Sequence, residues 1–448
     1  MFRERKVQIV IGAAALVLLL FIIALFSIGT SSFAEVVMMV RYVFLQQVGV
    51  ILVAAAALFY IIRVVWRLHS KPLAIALAVI VFGGGLYVWG NETHSPHFAM
   101  PAFMHTYHPG EHRPDLPFSN VMKFFAAYDD FEKVEDIGAD PNDVPSPITR
   151  KHSETVEVYL ETKEVIAEVA DDVYFNYWTF NSQVPGPMLR VREGDTVNVI
   201  IKNHESSLHS HNIDLHSVTG PGGGATLSKV APGETKGFSW KALNPGLYIY
   251  HCATANVSTH NSHGQYGLIL VEPEEGMSEV DKEFYVVQGE LYTKGKTGKK
   301  GLTIFDSEAL LDGIPDYITF NGRVEENGSP RMKAKVGDKI RIFVGNGGVN
   351  LISSFHPIGE IFDLVYDEGG IGAEPLENIQ TTAVLPGGAS IVEFTADVPG
   401  NIILVDHALA RMNKGAWAII EVEGEEQPDI YAPIDLGNGT EVGEYGGH

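Results

Sequence analysis

Cysteine is almost absent from this chain: Cys252 is the only one in 448 residues. A lone thiol excludes an internal disulfide framework, a thiolate-only zinc site and a cysteine-ligated iron–sulfur cluster. Basic residues are also scarce, with 32 Lys and Arg against 55 Asp and Glu and a net charge of −23. The imbalance is uneven. Residues 1–90 hold seven basic residues and two acids, so the 358 residues beyond them carry −28. A surface that acidic repels phosphates and excludes a nucleic-acid binder. Hydrophobic residues make up 46 % of the chain, which excludes disorder throughout. At roughly 100–200 residues per domain, the length predicts two to four domains.

Charge is missing altogether from Val7 to Ile28, a run long enough to span a bilayer and too long for the apolar core of a signal peptide. Val48 to Trp66 and Leu73 to Trp89 are further apolar stretches, and about three helical spans are expected in 1–90. Arg3, Arg5 and Lys6 precede the first, and Arg63, Arg67 and Lys71 lie between the second and third. Both clusters belong on the cytoplasmic side, so the rest of the chain is expected outside a cell membrane crossed several times. His69 is the only histidine in this segment, which favours a plain anchor over a bis-histidine haem.

Residues 91–150 are rich in Pro, Asp and His and read as a linker. His94, His97, His105, His108 and His112 cluster there with Met100 and Met104. A solvated linker is the plain reading, and transient copper binding the alternative. From about residue 153 short alternating strands with Gly/Pro turns take over, as in Thr155–Leu160 and Val197–Ile201. An internal repeat is visible. Thr179-Phe-Asn181 followed by Val191 to Val197 is echoed by Thr319-Phe-Asn321 followed by Val336 to Ile340. Asn244-Pro-Gly246 is echoed by Val398-Pro-Gly400. The fold expected is all-β, two homologous sandwiches in tandem at 151–276 and 277–424, with an acidic tail at 425–448.

The first repeat carries His211, Asp214 and His216, then His251-Cys252, then His260. Side chains alternate along a strand, so His211 shares a face with Cys252, while Asp214 and His216 share the other with His251. The first set, completed by His260, gives two imidazoles and a thiolate, the arrangement that suits a blue-type copper. The second gives two imidazoles and a carboxylate. A metal there needs another ligand from elsewhere. In the second repeat Asp406 stands seven residues after Pro399, as Cys252 stands seven after Pro245. That domain lacks a thiolate and holds no such copper of its own.

Residues 155–423, with His211 to Pro273, Ser353-Ser-Phe-His356-Pro-Ile358 and Leu404-Val-Asp-His407, resemble the copper-containing nitrite reductases. The resemblance implies a homotrimer of two-cupredoxin subunits with Greek-key sandwiches and one type 1 and one type 2 copper each. It implies type 1 ligands His211, Cys252 and His260. It implies type 2 ligands His216 and His251, with His407 supplied by a neighbouring subunit. Asp214 and His356 match the active-site acid and histidine, and Ile358 the apolar residue that crowds the type 2 copper. The axial methionine of the family is absent, since no Met occurs between Cys252 and Pro273. Gln265 stands in that place as the expected ligand, with His263 the alternative and mere space-filling the third reading.

The reaction implied is one-electron reduction of nitrite to nitric oxide. The electron comes from an external cupredoxin, cytochrome c or quinol-linked donor and passes across the Cys252–His251 peptide. A laccase-like multicopper oxidase is the rival enzyme, but His209-Ser-His211 is the only His-X-His pair. A non-catalytic, membrane-held copper electron carrier is the rival from another class, and it leaves His216, Asp214, His356 and His407 without a role.

Overall fold

The computed structural model describes residues 123–434 except 255, 296 and 325–331. The expected membrane spans, the histidines between 94 and 112, and the tail from 435 lie outside the described residues. Among the described residues no helix is long and apolar enough to cross a membrane.

Strands dominate because β-branched and aromatic residues alternate with polar ones. In Thr196–Asn203, Val197, Val199 and Ile201 are fully buried while Lys202 between the ends of the strand is exposed. Each such side chain contributes about 1.5–3 kcal/mol on burial. Thr155–Ala170 pairs with Val173–Phe180 and with Thr196–Asn203, which in turn pairs with Thr235–Lys241. Facing this sheet are Leu189–Arg192, Tyr266–Glu272, Gly246–His251 and the short strand Asp214–Leu215. The core between them holds Val158, Val199, Ile213, Tyr250 and Cys252.

The second half repeats the plan. Lys282–Leu291 lies parallel to Lys339–Asn346, as Thr155–Ala170 does to Thr196–Asn203. Ser353–Ile358 pairs antiparallel with Gly400–Asp406, as Asp214–Leu215 does with Gly246–His251. The registers make the repeat exact at the site. Asp214 is opposite His251, and Phe355 is opposite Asp406. His356 therefore occupies the place of Asp214, Ile358 that of His216, and Asp406 that of Cys252. The two sandwiches share a core in which Val165, Tyr177 and Leu268 pack with Tyr285, Phe343 and Ile391.

The expected linker is packed where it is described. Phe125, Tyr128 and Phe131 are buried with Ile166 and Leu302, and Glu132–Val134 adds a parallel strand beside Thr155–Ala170. Three aromatics at three-residue spacing give this stretch an apolar edge, so 123–150 docks on the first sandwich instead of running free.

Candidate metal centre

Four donor side chains converge at one end of the first sandwich. His211 precedes the Asp214–Leu215 strand and is fixed by two backbone hydrogen bonds with Val230, of 3.0 and 2.8 Å. Cys252 follows the Gly246–His251 strand, and its N–H donates to the carbonyl of Gln265 at 3.0 Å. His260 sits on the short helix Val257–Ser262. Gln265 comes next, after Gly264 at φ +108°, where a Cβ would meet Val184 at 2.6 Å. Only glycine makes that turn, and the turn aims Gln265 inward.

Nδ1 of His260 lies 3.3 Å from Nδ1 of His211, 3.2 Å from Sγ of Cys252 and 3.1 Å from Oε1 of Gln265. All four residues are buried. The Asn212 N–H points at Sγ from 3.4 Å. Burial pushes the Cys252 thiol up, and the hydrogen bond and charge of His211 with the Asn212 N–H more than offset it, for a net lowering. Two imidazole nitrogens, a thiol tuned toward thiolate and an amide oxygen facing one point match the donor set of a blue-type copper. His263 is turned away: its Nδ1–H donates to the Thr259 carbonyl at 2.7 Å and its ring stacks on Trp178. Burial pushes that imidazole down to about 3.

The second set lies on the opposite strand face. Ligand atoms of Asp214, His216 and His251 fall within 4.8 Å of one another. Nε2 of His216 is 3.0 Å from Nε2 of His251. The Nδ1–H of His251 donates to the Cys252 carbonyl at 3.0 Å, which fixes the tautomer and leaves Nε2 with its lone pair. Two imidazoles aimed nitrogen to nitrogen fit a shared metal ion. Gly223, at φ +54°, lies against Asp214 so closely that a Cβ would stand 1.8 Å from Oδ1. Burial pushes the Asp214 carboxyl up, against the opposing influence of His251 and His216. His216 remains exposed, and a cavity of about 300 Å³ beside it is lined in part by Leu385 and Gly387 of the second sandwich.

His356 and His407 meet each other, with ring centroids 4.9 Å apart and planes at 84°. Among the described residues neither joins either donor set within one chain. The Nδ1–H of His356 donates to the Gln380 carbonyl at 2.5 Å. Ile358 is exposed two residues beyond His356 on the same strand. In place of the thiol, Asp406 accepts the Ser354 N–H at 3.2 Å, as Sγ accepts that of Asn212, and it pairs with Arg411 at 2.6 Å. An ion pair fills the position that the Cys252 thiol has in the first sandwich.

Two residues went unread in the sequence. Trp178 stacks on His263 at 4.2 Å, lies tilted against His209 at 4.3 Å and meets His260 in a T-shaped contact at 4.7 Å. Glu164 is fully buried behind His211. Its signal was the inward phase of Val156, Val158, Leu160 and Thr162, which a carboxylate interrupts.

Tandem cupredoxin-like sandwiches with a thiolate–imidazole cluster in only the first define a multidomain copper oxidoreductase. Residues 162–276 match the sequence family described as multicopper oxidase. A copper-containing nitrite reductase of Neisseria meningitidis is 53 % identical over 290 residues, covering 64 % of this chain and 75 % of that protein. One from Cereibacter sphaeroides is 31 % identical over 325 residues, covering 65 % and 86 %. The solved copper nitrite reductase of Nitrosomonas europaea aligns with a TM-score of 0.54 at 30 % identity, covering 61 % of this chain and 96 % of that one. The chain belongs to the copper-containing nitrite reductases.

Proposed function

We propose that the chain reduces nitrite to nitric oxide, NO₂⁻ + 2H⁺ + e⁻ → NO + H₂O, as a homotrimer with one type 1 and one type 2 copper per subunit. The observation that carries this reading is the division of donors. A sealed thiolate–imidazole set and an open imidazole pair are joined by the single peptide bond between His251 and Cys252. His211, Cys252, His260 and Gln265 hold the type 1 ion. His216 and His251 hold the type 2 ion together with His407 of a neighbouring copy. When bound, copper supplies a one-electron couple at the first set and a Lewis acid for nitrite at the second.

The remaining work belongs to side chains. Burial favours the protonated form of Asp214, which donates to the nitrite oxygen that leaves as water. His356 has its Nδ1–H committed to Gln380, which leaves Nε2 to pass the second proton. Ile358 narrows the space above nitrite with an apolar side chain. The laccase-like reading needs several His-X-His pairs, and the sequence has only His209-Ser-His211. The uncharged run Val7 to Ile28 and its flanking Arg and Lys residues support a multi-pass anchor in the lipid of the cell membrane, with the sandwiches on the extracytoplasmic side. The electron donor is then an external cupredoxin, cytochrome c or quinol-linked carrier.

Nitrite-dependent nitric oxide production, measured together with bound copper, tests the proposal. A fragment from residue 123 is expected to form a trimer with two coppers per subunit. A fully active copper-replete monomer rules out the shared site. Gln265→Met is expected to raise the type 1 potential and change its visible absorption, because a thioether favours Cu(I) more than an amide oxygen does. An unchanged potential and spectrum removes Gln265 from the ligand set.

A further inference from the structure

We infer that Glu164 is a positioning residue for the copper ligand His211, accepting the proton on its outward ring nitrogen and placing a buried negative charge behind the type 1 site. The inference rests on the copper reading of His211, Cys252 and His260. Glu164 lies on Thr155–Ala170, 47 residues before His211, and reaches it only through the fold. Oε1 accepts three hydrogen bonds: from the N–H of Leu208 at 2.7 Å, the N–H of His209 at 2.8 Å and Nδ1 of His209 at 2.9 Å. Three donors on one oxygen are the environment of an ionised carboxylate. They also hold down the loop that leads into His211.

The remaining atoms point to a ligand role. Oε2 of Glu164 and Nε2 of His211 are both buried without a hydrogen-bond partner. Nε2 lies 3.6 Å from Oε1, inside ion-pair range and outside hydrogen-bond range. Leaving a buried acceptor and a buried ring nitrogen unpaired costs free energy. Metal ligation through Nδ1 removes the conflict, because the imidazole proton then resides on Nε2 and faces the carboxylate. The carboxylate thus fixes the ring and its tautomer. It also stabilises the more positive Cu(II) form, in the same direction as the oxygen donor of Gln265.

The test uses the full-length, copper-loaded chain, with the potential read by redox titration of the visible copper absorption. Glu164→Gln keeps the shape and removes the charge. At a fixed poise its oxidised-to-reduced ratio is expected to fall about tenfold, a rise of about 59 mV for a one-electron couple. Copper loss to a chelator is expected to increase about 10–100-fold. If Glu164→Gln does not fold, Glu164→Asp withdraws the carboxylate by one methylene, and a smaller shift in the same direction is expected. A folded variant of either kind with unchanged potential and copper retention overturns the inference, because a purely structural role moves stability and leaves the potential alone. A wild-type chain that binds copper without intense visible absorption overturns the type 1 reading, and this inference with it.

Discussion

His407→Ala is expected to leave a chain that keeps its type 1 copper and visible absorption and has lost nitrite turnover. Two imidazoles, His216 and His251, remain on the open face, and one chain offers no third among its described residues. Removing groups that only orient a ligand typically costs about 10–100-fold, so loss of a ligand itself should exceed about 100-fold. Copper content should fall from two ions per subunit to one. Mixed trimers decide whose histidine it is. Copies carrying Cys252→Ser have no type 1 site but retain His407. Copies carrying His407→Ala retain Cys252, His216 and His251. If His407 serves a neighbour, refolding the two together restores activity at interfaces where an intact first sandwich meets an intact His407. If it serves its own chain, no mixture recovers, and the shared site is excluded.

Asp214→Asn is expected to lower the steady-state rate by about 10²–10⁴-fold, the usual contribution of a general acid. The substitution is nearly isosteric, so it fits the close approach of Gly223 and both coppers should load. Asparagine has no carboxylic proton to give. Reduction of the type 1 site by an artificial donor should stay near normal, because Asp214 lies on the strand face opposite Cys252 and its partners. Near wild-type turnover with the second copper fully loaded makes Asp214 a group that merely orients water or a histidine. His356→Asn is expected to slow turnover as well, since its ring is held by the Gln380 carbonyl and Asn offers no second ring nitrogen.

Much of this was legible in the chain because it rests on local rules. Strand alternation separates His211 and Cys252 from Asp214, His216 and His251 without any coordinates. The repeat of Asn244-Pro-Gly246 at Val398-Pro-Gly400 sets the registers that put Asp406 where Cys252 stands. The packing of 123–150, which the sequence marks only as part of a linker over 91–150, was not legible in the chain. The proline and aspartate content of that stretch is that of a loop, and the contacts that hold Phe125, Tyr128 and Phe131 come from Ile166 and Leu302, far away in sequence.

The sequence by itself determined the two sandwiches, the asymmetry between them and the order of the donors. Backbone periodicity and a single cysteine leave few alternatives. Only the tertiary structure decided between Gln265 and His263 as the fourth side chain at the cluster. The two are two residues apart, and the turn at Gly264 sends Oε1 of Gln265 inward while Thr259 captures His263. Only the tertiary structure set Glu164 behind His211 and closed Gly223 over Asp214. Those contacts depend on side-chain direction and on segments brought together across the fold, which no spacing along one strand encodes.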